Sequence, residues 1–169
     1  VSQKRLSVFL AVVAIFSALT AALTSVSAVP SPTRGFTHVG DTIIYLASLL
    51  FGSSAGLAVG LIGPTLADIV VGYPRWYVTL VAHGLQGYIA GMGKGKGLKV
   101  QVIAMIAAGL VMSFTYFVVN VFVKGRAPAL VSLFRDTFGQ TLISVLLAAL
   151  LVKPLEKNPI IRKASQMMP

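Results

Sequence analysis

Cysteine is absent from the chain, and with it every disulfide, iron–sulfur and thiolate-zinc site. Charge is scarce: 11% of the 169 residues are charged, against about 25% in an ordinary soluble domain. No HExxH or GxSxG pattern occurs. No GxxxxGK[ST] occurs either, which excludes ATP hydrolysis by that route. The only two histidines, His38 and His83, are far apart in sequence and make a poor metal site. No cofactor and no metal is therefore expected, and no soluble stretch is left over for a catalytic domain.

What is abundant is apolar surface. Hydrophobic residues make up 56% of the chain, with a mean hydropathy of +0.88. This is the composition of an all-α integral membrane protein, read as a single domain over residues 1–169. A helix needs about 20 apolar residues to cross a bilayer. Six spans are expected, over residues 6–28, 39–51, 55–71, 74–92, 98–123 and 128–152. Residues 1–28 have some features of a signal peptide, but the apolar stretch from Leu6 to Val26 exceeds the usual length of about 7–15 residues. It is read as an uncleaved helix.

The net charge of +10 would suggest nucleic acid in a soluble protein. Here it reports topology, and no nucleic-acid partner is expected. With both termini cytoplasmic, Lys4, Arg5, Lys94, Lys96, Lys99, Lys153, Lys157, Arg162 and Lys163 fall inside. Arg34, Arg75, Lys124, Arg126 and Arg135 fall outside. Nine against five obeys the positive-inside rule and points to a multi-pass protein of the cell membrane.

In this topology the intramembrane polar residues gather in the outer half. Asp41 and Tyr45 lie one turn apart on the second helix. Asp68 ends the third. Trp76, Thr79, His83 and Gln86 form one stripe on the fourth. Tyr116 and Asn120 follow on the fifth, and Asp136 and Gln140 on the sixth. Polar side chains at membrane depth face the bundle or a water-filled cavity. The common depth predicts a pocket open to the outside and closed towards the cytoplasm, where Ala, Leu, Val and Ile dominate. Each residue also has a plain structural alternative. Asp41 caps a helix; Asp68 pairs with Arg75; Asp136 pairs with a neighbour such as Arg126. Trp76 and Tyr77 sit in the interfacial belt. His83 packs, and Asn120 and Gln140 bond between helices.

Small residues form a second pattern. Gly52, Gly56 and Gly60, with Gly87 and Gly91, are spaced to bring helix backbones together. Ala14, Ala18 and Ala22 make a flat strip on the first helix, suited to packing inside the bundle or to docking another protein.

The stretch FTHVGDTIIYLASLLFGSSAGLAVGLIGPTLADIVVGYP, residues 36–74, resembles the substrate-binding S component of energy-coupling factor (ECF) transporters, in the hydroxymethylpyrimidine, pyridoxine and riboflavin branch. The resemblance implies a six-helix protein that captures a vitamin or vitamin precursor outside. It would then work with a membrane T component and two ATPase subunits. It also implies that Val29 to Thr37, with Pro30, Pro32 and Gly35, is a gating loop, and that Ala14, Ala18 and Ala22 dock the T component. Gln86 departs from the pattern, standing where such proteins often carry an acidic residue. Two other functions compete with this reading. One is a self-contained channel or facilitator. The other is an intramembrane enzyme using His83 with Asp68 or Asp136.

Overall fold

A computed structural model describes residues 2–33 and 35–168. Arg34, counted above among the outer basic residues, lies outside the described residues. Helix α1 (Gln3–Val26) leads into a short antiparallel hairpin, β1 (Val29–Ser31) and β2 (Gly35–Thr37), in which Pro30 faces Phe36. Then follow α2 (Asp41–Phe51), α3 (Ser53–Val71), α4 (Trp76–Gly91) and α5 (Leu98–Lys124). The last long segment is α6 (Arg126–Phe134), a π-helical turn (Arg135–Thr141) and α7 (Leu142–Lys157), continuous over 32 residues. A short α8 (Pro159–Gln166) closes the chain.

Two expectations need correction. The second span is an 11-residue helix, about 17 Å long, and cannot cross an apolar layer of about 30 Å. It begins at Asp41 because His38, Val39 and Gly40 fold inwards as a link from the hairpin. Almost all of α2 is buried, so it is a central post and not a lipid-facing element. The sixth span is longer than its apolar core and carries a π-helical turn. α8, too polar to announce itself by hydropathy, follows it; Asn158 caps it by accepting from the N–H groups of Ile160 and Ile161.

Among the described residues, four segments are long and apolar enough to cross a membrane: α1, α3, α5 and residues 126–157. Their outward faces expose large apolar side chains, among them Leu10, Ile15, Ile103, Phe114, Leu146 and Leu150. Such a surface suits lipid as solvent, because each helix satisfies its own backbone. The inner faces supply a core of Leu46, Leu49, Met105, Ala108, Val145, Ala148 and Val152 around α2.

The closest helix pair is α3 and α4, and the glycines explain it. A methyl group at Gly56 would strike the Gly87 carbonyl, and one at Gly60 the His83 carbonyl. α2 and α3 are joined by Gly52 alone, at φ 98°, a conformation that side chains disfavour. On α1, Val13, Ser17, Thr20 and Thr24 face inwards, while Ala14, Ala18 and Ala22 are exposed on the other side.

Candidate functional site

One end of the bundle carries the hairpin, the start of α2, the end of α3, the start of α4, the end of α5 and the π-helical turn. Between them lies a small cavity, partly open to the outside. Its lining includes Asp68, Thr79, His83, Tyr116, Asn120, Asp136 and Gln140, together with Gly35 from the hairpin. Asp136 and Gln140 are brought side by side by the π-helical turn, whose wider winding keeps residues four apart on one face.

Aromatic rings make the walls. Phe36 meets Tyr73 edge-on at 5.7 Å, and His83 meets Tyr116 edge-on at 5.8 Å. Thr79 shares a short hydrogen bond with the Tyr116 hydroxyl. Arg75 donates to the Tyr73 hydroxyl from Nε at 3.0 Å and Nη2 at 2.8 Å, and so holds that ring in place. Arg135 pairs with Asp136 at 2.6 Å, which supplies the basic neighbour expected for Asp136, from the adjacent residue and not from Arg126. Asp68 is buried, and its Oδ2 has no protein hydrogen-bond partner.

Asp41 and Tyr45 sit beneath this lining. Asp41 is wholly buried at the first turn of α2, where the helix dipole favours a carboxylate. It makes no side-chain cap bond. Its Oδ2 instead accepts from Gln86 Nε2 and Gln140 Nε2, each at 3.0 Å. Gln86 Nε2 also donates to the Tyr45 hydroxyl at 2.9 Å. The amide at position 86 therefore acts as a donor to the carboxylate, which an acidic side chain would repel when charged.

The structure places Trp76 elsewhere. It is 46% exposed, edge-on to Tyr77 at 6.0 Å, and is not among the residues lining the cavity. The helical stripe predicted its direction only roughly, and the first turn of α4 rotates it outwards. Tyr73, in the preceding turn, takes the wall position. Of the loop residues, Gly35 reaches the cavity, Pro30 lies in β1 and Pro32 in the hairpin turn.

The pattern along the sequence missed His38, Phe36, Tyr73, Lys124 and Arg135, all of which line the cavity. All but Arg135, which opens the π-helical turn, lie in the hairpin, in loops or at helix ends, where periodicity carries no signal. The two histidines, distant in sequence, are neighbours in the fold. The link before α2 swings His38 over α4, leaving the His38 and His83 rings 6.0 Å apart and nearly parallel. Burial holds the His38 imidazole down at about 4, only partly opposed by the Asp41 carboxylate, so it is neutral at physiological pH. Burial likewise raises the Tyr73 hydroxyl above its usual range.

Comparisons with known proteins agree with this architecture. The solved structure of ThiT from Listeria monocytogenes superposes with a TM-score of 0.76, covering 99% of this chain and all of that one, at 18% identity. The thiamine precursor transporter HmpT of Lactococcus lactis is 29% identical over 155 residues, 90% of each chain. An uncharacterized protein of Pyrococcus woesei is 34% identical over 112 residues, 64% of this chain and 75% of its own length. The family pattern of the ECF-type riboflavin transporter S component matches residues 7–157. With that match across nearly the whole bundle, the chain belongs to the ECF-type riboflavin transporter S component family.

Proposed function

We propose that this S component captures a small, flat nitrogen heteroaromatic from outside the cell, of the class of the thiamine precursor that HmpT carries. The observation that carries the reading is the one-ended cavity. It offers aromatic faces (Phe36, Tyr73, Tyr116, His83) to a ring. It offers carboxylates and amides (Asp68, Asp136, Asn120, Gln140) to ring nitrogens, amino groups and hydroxyls. Buried polar atoms that lack partners are costly, and a ligand edge would satisfy Asp68 Oδ2. The likeness to HmpT along nine tenths of both chains favours a pyrimidine- or pyridine-sized molecule over riboflavin.

In this reading both termini are cytoplasmic, the bundle sits in the cell membrane with α2 as a short buried post that does not itself span it, and the hairpin end faces out. The hairpin with Pro30, Pro32 and Gly35 is the gate. Uptake is driven by a T component, which docks on the exposed Ala14, Ala18 and Ala22 strip, and two ATPase subunits. A channel would need a polar path through the bundle. Here Leu49, Met105, Ala108, Val145, Ala148 and Val152, all buried, close it below the cavity. Native mass spectrometry of the detergent-purified protein tests the ligand class. One bound heteroaromatic per chain, displaced by hydroxymethylpyrimidine or pyridoxine at lower concentration than by riboflavin, is expected. Displacement by riboflavin alone, or no saturable binding of any of the three, contradicts it.

A further inference from the structure

Beneath the cavity the Asp41 carboxylate is oriented with unusual completeness on one side and left open on the other. Two amide donors, Gln86 and Gln140, saturate Oδ2. Oδ1 has no hydrogen-bond partner and faces two imidazoles, with His83 Nε2 at 3.3 Å and His38 Nδ1 at 3.8 Å. His83 Nδ1 lies 3.2 Å from the Thr79 carbonyl, an oxygen that can only accept, so the Nδ1 nitrogen carries the proton. In the neutral ring Nε2 is then a lone pair aimed at a carboxylate oxygen, and it too is buried without a hydrogen-bond partner. Two acceptors held face to face need a cation between them.

We propose that His38, Asp41 and His83 hold a divalent transition-metal ion at the floor of the cavity. Two ligands each about 2.05 Å from an ion at the tetrahedral angle stand about 3.3 Å apart, the separation of His83 Nε2 and Asp41 Oδ1. A direct charge-assisted hydrogen bond would be shorter, about 2.7–2.9 Å. The supporting shell is in place: a backbone carbonyl on the far nitrogen of His83 and two amides on the far oxygen of Asp41 fix the ligand orientations. The three donor atoms lie within 4.8 Å of one another, and all three side chains are buried. His38 Nδ1 accepts only a long bond of 3.2 Å from the Gly40 N–H, which the ion displaces. Two imidazoles and one carboxylate select zinc, cobalt, nickel or copper over magnesium or calcium. Both histidines line the cavity, so the remaining coordination position faces it. The inference stands whichever vitamin fills the cavity.

The test uses the full chain, purified in detergent without a polyhistidine tag, stripped with chelator and titrated with Co²⁺ in the absence of vitamin. One Co²⁺ per chain with visible ligand-field bands, displaced by Zn²⁺, is expected. His83→Gln and His38→Gln, checked for cooperative thermal unfolding, should each weaken Co²⁺ binding at least tenfold. X-ray absorption on the Zn²⁺-loaded wild type should show two imidazole ligands, a readout that needs no substitution. No stoichiometric binding, a shell without two imidazoles, or unchanged affinity in a folded His83→Gln protein overturns the proposal and leaves a proton as the bridging cation.

Discussion

At the hairpin end, rings and carboxylates surround a cavity, and buried atoms such as Asp68 Oδ2, His83 Nε2 and Arg135 Nη1 have no protein hydrogen-bond partner. At the opposite end, polar groups engage mainly one another, although Gln101 Oε1 is itself buried without a hydrogen-bond partner. Gln101 donates to Glu156 at 2.6 Å, Lys153 pairs with Glu156 at 2.7 Å, and Lys94 donates to the Phe51 and Ser165 carbonyls at 3.3 Å. Ser165 Oγ ties α8 to the Leu50 carbonyl at the end of α2. A folded chain does not leave buried polar atoms unpaired without reason. The difference teaches that one end is prepared for something that is not protein, while the other is sealed by the protein itself.

The largest expected effect lies outside both ends. Ala18→Trp on the exposed strip of α1 should abolish uptake in cells while the isolated chain binds vitamin with unchanged affinity. Wild-type uptake would remove the docking role. Next is Asp68→Asn at the open end, which keeps the shape and removes the charge. It should cost about 1.5–3 kcal/mol of ligand affinity, as for a hydrogen bond to a charged group, read by calorimetric titration. Gln101→Ala at the sealed end should do the reverse: about 0.5–1.5 kcal/mol of stability lost with affinity unchanged. The smallest effect belongs to Trp76→Ala. On an exposed surface away from the cavity it should change affinity by less than about 0.5 kcal/mol, whereas Tyr73→Ala should weaken binding clearly. If the two exchange places, the aromatic wall has been assigned to the wrong residue.

These residues also mark how far the sequence could be read. Helix-borne polar groups were legible, because spacing by three and four puts Thr79 and His83, or Tyr116 and Asn120, on one face, and both pairs line the cavity. The close glycine packing of α3 on α4 was legible for the same reason. Trp76 was not, because the first turn of a helix is set by the preceding loop and not by the stripe. His38, Phe36 and Tyr73 were not, because a loop has no period, and only the folded chain brings His38 to His83. Gln101 is a buried exception in the inner half, where Ala, Leu, Val and Ile dominate. Its partner Glu156 lies 55 residues away, beyond any local pattern. That α2 is a buried post was hidden too, since buried apolar residues read alike in a post and in a span.

Hydrogen exchange with and without saturating ligand tests the contrast between the two ends most directly. Ligand should slow exchange in the hairpin around residues 29–37, in the turn around 72–79 and in the π-helical turn at 135–141, and leave residues 93–101 and 153–166 unchanged. Equal protection at both ends, or protection confined to residues 93–101 and 153–166, would contradict a pocket that opens only beneath the hairpin.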